Sequence, residues 1–96
     1  MAFDLEPIVS DPDSIEEAVR RLIFILTGRD KEKIKTLNRS ELIWLHIRLG
    51  PTIRSGFGLN EGNIELMLDC NTIDKKACSM KIVEKVWENL KYSCIS

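Results

Sequence analysis

The chain has 96 residues, 44% hydrophobic and 30% charged, with a formal net charge of −1. That length holds one domain with a single core and excludes a second, and the composition excludes a disordered or collagen-like chain. No apolar run approaches the roughly 20 residues that span a bilayer, and the start, Met-Ala-Phe-Asp-Leu-Glu-Pro, lacks the regions of a secretory signal, so the expected compartment is the cytoplasm.

Residues 1–13 contain Pro7 and Pro12 with Asp4, Glu6, Asp11 and Asp13, which argues against regular helix. They are expected to form an extended acidic arm, with Phe3, Leu5, Ile8 and Val9 able to anchor part of it, and residues 14–96 a single helical domain. Ser14-Ile-Glu-Glu17 fits a capping box. The first helix should run to about Thr27 and end at Gly28, with Ile15, Ala18, Val19, Leu22, Ile23, Ile25 and Leu26 on one face. At about 100° per residue, Phe24 falls opposite that face. Asp30 can cap a short second helix from Lys31 to about Leu37, and Asn38 with Glu41 repeats the capping-box pattern.

The helix that follows is expected to be the long central one, kinked at Gly50-Pro51 because proline removes an amide donor and crowds the preceding turn. Leu42, Leu45, His46, Leu49 and Ile53 form its inner stripe, and Ile43 and Ile47 widen it. Trp44 lies on the other side, beside Ser40, Arg48 and Pro51. Gly56 and Gly58 flank Phe57 in a turn suited to positive φ. Asn60 to Asn63 reads as a loop, Ile64 to Cys70 as a short fourth helix, and about Lys75 to Tyr92 as the last. The inner face of that last helix holds Ser79, Ile82, Val83, Val86, Trp87 and Leu90. The fold expected is therefore all-α, a compact orthogonal bundle of about five helices.

Cys70, Cys78 and Cys94 are odd in number and lack CxxC spacing, so reduced thiols are expected rather than a disulfide framework or a zinc site. Charge is arranged in blocks. Six acids and no base precede Ala18, whereas Arg20, Arg21, Arg29, Lys31, Lys33, Lys35 and Arg39 face only Asp30 and Glu32 in the next segment. Such blocks create local fields able to steer a charged partner.

The segment Leu45-His46-x-x-Leu49-Gly50-x-x-Ile53-Arg54-x-x-Phe57-Gly58-Leu59 and the later Ser79-x-x-Ile82-Val83-x-x-Val86-Trp87 resemble a family of small bacterial domains known only as a domain of unknown function. Gly62-Asn63, Leu66 and Cys70 belong to the likeness, as do Ile15 to Ala18 and Asp30 to Ile34, so it covers most of the chain after the arm. The chain departs from the family at Asn60, where a tryptophan is common, and at Lys76 and Ala77, where acids are. The resemblance implies a compact helical domain and supplies no activity.

His46 is the one imidazole, but no cysteine or second histidine stands at a motif spacing and its helical neighbours are leucines, which fits a structural histidine. Arg54 could pair with an acid from the fourth or fifth helix. Asp69, Cys70 and Asp74 match no metal-ligand spacing, and Gly56-Phe-Gly58 is no phosphate loop; neither a catalytic residue nor a cofactor or metal site is expected. The informative residues are Phe24 and Trp44, large aromatics on the polar sides of their helices, with Arg48, Arg20 and Arg21 nearby in sequence. The reading is a small non-enzymatic domain that binds another protein, an inhibitor of toxin-immunity or phage anti-defence type. The alternatives are a nucleic-acid-binding regulator using the basic segment 20–39 and a homo-oligomeric module.

Overall fold

The computed structural model describes residues 11–92, and within them every regular element is helical. The helices are α1 (Ile15–Ile25), α2 (Gly28–Lys35), α3 (Leu42–Gly56), α4 (Ile64–Asp69) and α5 (Lys75–Tyr92), with single 3-10 turns at Arg39–Glu41 and Leu59–Glu61. The expected arm falls mostly on residues 1–10, outside those described.

Local chemistry sets the boundaries, in places differently from the expectation. Ser14 caps α1 by accepting from the Glu17 amide at 3.1 Å. The return half of the box does not form, because the Glu17 carboxylate is held by Arg20 at 2.6 Å and Arg21 at 3.0 Å. The Ile15 amide donates instead to Asp69 Oδ2 at 2.7 Å, so the far end of α4 completes the start of α1. Gly28 does not close α1; it opens α2. Thr27 accepts from the Asp30 amide at 3.1 Å and Asp30 accepts from the Thr27 amide at 3.4 Å, a capping box that places Asp30 at its third helical position. Before α3, the Asn38 amide donates to Glu41 Oε1 at 2.9 Å. Pro51 lies inside α3, which continues to Gly56.

After α3 the chain reverses through Gly58, whose φ of 78° is left-handed, and a Cβ there would overlap the Asp11 carboxylate. Asn63 fixes this corner. Its Nδ2 donates to the carbonyls of Pro12 and Phe57, each at 2.8 Å, while its Oδ1 accepts from the Leu66 amide at 3.2 Å and caps α4.

The inner stripe of α3 packs on α5, and α5 also packs against α1, α2 and α4. The helix around which the others gather is thus the last, because the period of its apolar positions buries residues from its first turn to its fourth: Cys78, Ser79, Ile82, Val83, Val86 and Trp87. Most of the core joins these to Ala18, Val19 and Leu22 of α1, Ile53, Phe57, Leu59 and Leu66. A second cluster gathers Ile34 and Leu42 on Trp87. The Trp87 indole donates to the Leu37 carbonyl at 2.8 Å. Arg39 and Lys91 each lie 5.2 Å from the ring centroid, so the α2–α3 connection is clamped to α5 by hydrogen bond, packing and cation–π contact.

The expectation of reduced thiols is corrected for two of the three cysteines. Cys70 and Cys78 form a disulfide, with Cα atoms 5.4 Å apart, and both are fully buried. Eight residues of separation fit no metal motif, but the turn that starts at Asn71, itself at a φ of 61°, returns the chain so that the end of α4 faces the first turns of α5. Cys94 lies outside the described residues.

Candidate functional site on the third helix

The α3 sequence carries two apolar patterns. The stripe Leu42, Leu45, Leu49 and Ile53 turns inward, with Leu42 and Ile53 fully buried. Ile43 and Ile47, expected to widen that stripe, are instead 50% and 58% exposed, and Trp44 is 66% exposed. At 100° per residue these three and the exposed Pro51 occupy an arc of about 100° facing water. The reason is geometric: α3 rests on α5 along one side, and no described helix covers its opposite side. Spacing alone identifies an apolar position, not whether a neighbour is there to cover it.

On one flank of that arc, exposed Arg48 borders a groove of about 360 Å³ between α2 and α3, with Leu26, Ile34, Leu37, Leu45 and Leu49 below and Lys33 and Asp30 at the edge. Phe24, on α1, is 87% exposed; whether Leu5 or Ile8 lies over it concerns residues outside those described. Trp44 does not pack on the last helix. Arg20 and Arg21 precede Phe24 by one turn and are engaged on their own helix, Arg20 with Glu16 at 3.6 Å and Glu17 at 2.6 Å, Arg21 with Glu17 at 3.0 Å. The Arg21 hydrogen bond is the main reason the half-buried Glu17 carboxyl sits below its ordinary pKa. Trp44 and Arg48 therefore share a surface, while Phe24, Arg20 and Arg21 stand on another helix.

The other flank is polar. His46, Gly50 and Arg54 follow at intervals of four along α3, opposite Ser79 of α5. The imidazole Nε2 is 2.7 Å from Ser79 Oγ and Arg54 Nη1 is 3.4 Å from it. Ser79 Oγ donates to the Lys76 carbonyl at 2.9 Å. A carbonyl can only accept, and with the hydroxyl proton directed there the ring nitrogen is left to donate to the hydroxyl. This polarity is opposite to that of a histidine activating a serine nucleophile. Burial first, then the charges of Arg54 and Lys76, lower the His46 pKa, leaving the ring neutral near pH 7. Gly50 makes room, since a Cβ would stand 3.0 Å from both the His46 ring and Arg54 Nη1.

Arg54 thus reaches a hydroxyl rather than the acid expected from the fourth or fifth helix. The sequence pattern placed Ser79 on the inner face without assigning its hydroxyl a partner. Asn63 stood in a predicted loop and within the family likeness, and neither assigned its side chain a partner. Ile43 and Ile47 had one, their i, i+4 spacing on the Trp44 side.

Among the described residues no helix is long and apolar enough to cross a membrane. No curated protein and no solved structure matches the chain. Residues 11–90, from the corner that Asn63 clasps to the last turns of α5, match the family described as a domain of unknown function (DUF6794), and the chain belongs to that family.

Proposed function

We propose that the chain is a non-enzymatic domain that binds another protein through the outer side of α3. The observation that carries this reading is the run of Ile43, Trp44, Ile47 and Pro51 on one water-facing arc. Small soluble domains seldom leave large apolar side chains contiguous in water unless a partner covers them, and a tryptophan beside an arginine has the composition of a binding hot spot. Trp44 and Ile47 form the anchor, with Arg48 at its rim. In its most concrete form the domain is an inhibitor, of toxin-immunity or anti-defence type, in a bacterial or phage setting.

The engagement of Ser79 Oγ with the Lys76 carbonyl supports a role without catalysis. The basic segment gives nucleic-acid binding less support than its sequence did, because Arg20 and Arg21 pair with acids of α1, Lys35 with Glu32 at 3.3 Å, and Arg39 with Glu88 at 3.5 Å. The cytoplasmic compartment stands on sequence alone, and the Cys70–Cys78 disulfide weighs against it. The test is recovery of a bound protein by the tagged chain and by its Trp44→Ala variant, with sedimentation of the purified protein to separate a foreign partner from a second copy. Equal recovery by both would remove the reading.

A further inference from the structure

The seam between α3 and α5 carries three nitrogen-bearing side chains in the neighbourhood of Ser79: two touch its hydroxyl, and the third, Lys76, acts on His46 through its charge. His46 and Arg54 are two turns apart on α3, and Lys76 is one turn before Ser79 on α5. Among the described residues, the side-chain hydrogen bond of the half-buried Arg54 is the 3.4 Å contact to Ser79 Oγ, and it forms no ion pair. Among the described residues Lys76 forms none either. Asp74, the acid that precedes α5, accepts from the Lys76 amide at 3.1 Å as a helix cap. Among the described residues, a guanidinium fork, an ammonium and an imidazole N–H thus stand along this seam with no ion pair to a carboxylate, and Gly50, lacking a Cβ, lets the Arg54 and His46 side chains pack close together over it. An arginine fork suits an oxyanion with several acceptor oxygens, and lysine adds a point charge.

We propose that Arg54, Lys76 and His46 form a binding site for a phosphate-class oxyanion at the α3–α5 seam. Arg54 supplies the fork, Lys76 the second positive charge, and His46 turns from Ser79 to the anion when protonated. Burial, with the Arg54 and Lys76 charges added to it, lowers the His46 pKa, and an anion beside the ring acts in the opposite direction by favouring the imidazolium. The site is independent of the apolar arc, so failure of one leaves the other standing. The anion can be free phosphate or the phosphate group of a monoester.

His46 is the only histidine, so its ring Cε1–H resonance reports on this site alone. The experiment titrates the protein with inorganic phosphate, with phosphoserine and with chloride at matched ionic strength and pH, following that resonance and the backbone amides of Arg54, Lys76 and Ser79. The expected result is saturable shifts with phosphate or phosphoserine and none with chloride, with a His46 pKa that rises in the bound state. Stronger saturation by phosphoserine identifies a monoester as the ligand, and stronger saturation by inorganic phosphate identifies the free ion. Arg54→Gln should weaken binding about tenfold, the loss of one charge-assisted contact. Lys76→Gln, on the exposed surface where the fold is indifferent to it, should weaken binding roughly threefold. Shifts that never saturate, that chloride reproduces, or that Lys76→Gln and a folded Arg54→Gln both leave unchanged would overturn the proposal.

Discussion

His46 Nε2 lies 2.7 Å from Ser79 Oγ, a hydrogen bond that joins the middle of α3 to the second turn of α5. Burial and the neighbouring Arg54 and Lys76 charges set the folded pKa of this imidazole below its ordinary 6.5. In this direction the unfolded chain binds the proton more readily, so His46 subtracts nothing from stability above about pH 6.5 and lowers it progressively as pH falls through that value, levelling off below the folded pKa. Thermal unfolding followed between pH 8 and pH 5 should show Tm declining in that window, and His46→Gln should flatten the decline. The Glu17 carboxyl, held low by Arg21 and Arg20, contributes stability above its ordinary 4.5 that is lost only in more acidic solution, so the two effects separate along the pH axis.

Trp87 should be the most costly single truncation in the chain. It buries its ring between Ile34 and Leu42 and satisfies the Leu37 carbonyl. Denaturant unfolding should show a loss of about 3–5 kcal/mol for Trp87→Ala. Trp87→Phe, which keeps an aromatic ring but not the indole donor, isolates the hydrogen bond at about 1 kcal/mol beyond the volume change.

Gly56 and Gly58 stand two residues apart and should behave oppositely. At Gly58 a side chain meets both a left-handed φ and the Asp11 carboxylate, so Gly58→Ala should destabilise by about 1–2 kcal/mol or more. Gly56 ends α3 with nothing within 4 Å of a would-be Cβ. Gly56→Ala should be neutral or stabilise by up to about 1 kcal/mol.

The disulfide is checked by counting thiols in the unreduced, denatured protein. Three cysteines are present, and the pairing of Cys70 with Cys78 leaves one reactive thiol, that of Cys94. Reduction should lower the unfolding free energy by about 2–3 kcal/mol, the loop-closure value for a ring of this size. Three reactive thiols before reduction would contradict the pairing.

Much of this architecture was legible in the order of residues. The five helices and the inner face of α5, down to Trp87, follow from apolar positions recurring at the helical period. What the pattern could not supply was the presence or absence of a neighbour. Ile43 and Ile47 have the spacing of core residues and face water because nothing described covers them. Glu17 has the position of a capping-box acid and is drawn away by Arg20 and Arg21, while Asp69, 54 residues along the chain, takes over the amide at the helix start. Ser79 and Asn63 act through contacts that only tertiary structure assembles, and Cys70 meets Cys78 through a turn rather than a motif. The outward position of Trp44 and Arg48 was legible from their place opposite the inner stripe, and both are exposed. Phe24, Arg20 and Arg21 are exposed or half-exposed as read, but they belong to a different helix.

The measurement that bears most directly on the central claim is quantitative capture of a partner by three forms of the tagged chain: wild type, Trp44→Ala, and Leu68→Ala as an exposed apolar control on α4. Both substitutions lie on the surface and should change stability by no more than about 0.5 kcal/mol. If the outer side of α3 is the docking surface, wild type and Leu68→Ala recover the same protein in equal amount, and Trp44→Ala, losing an anchor worth about 2 kcal/mol or more, recovers less than a tenth of it. Recovery by Trp44→Ala equal to wild type would contradict the account.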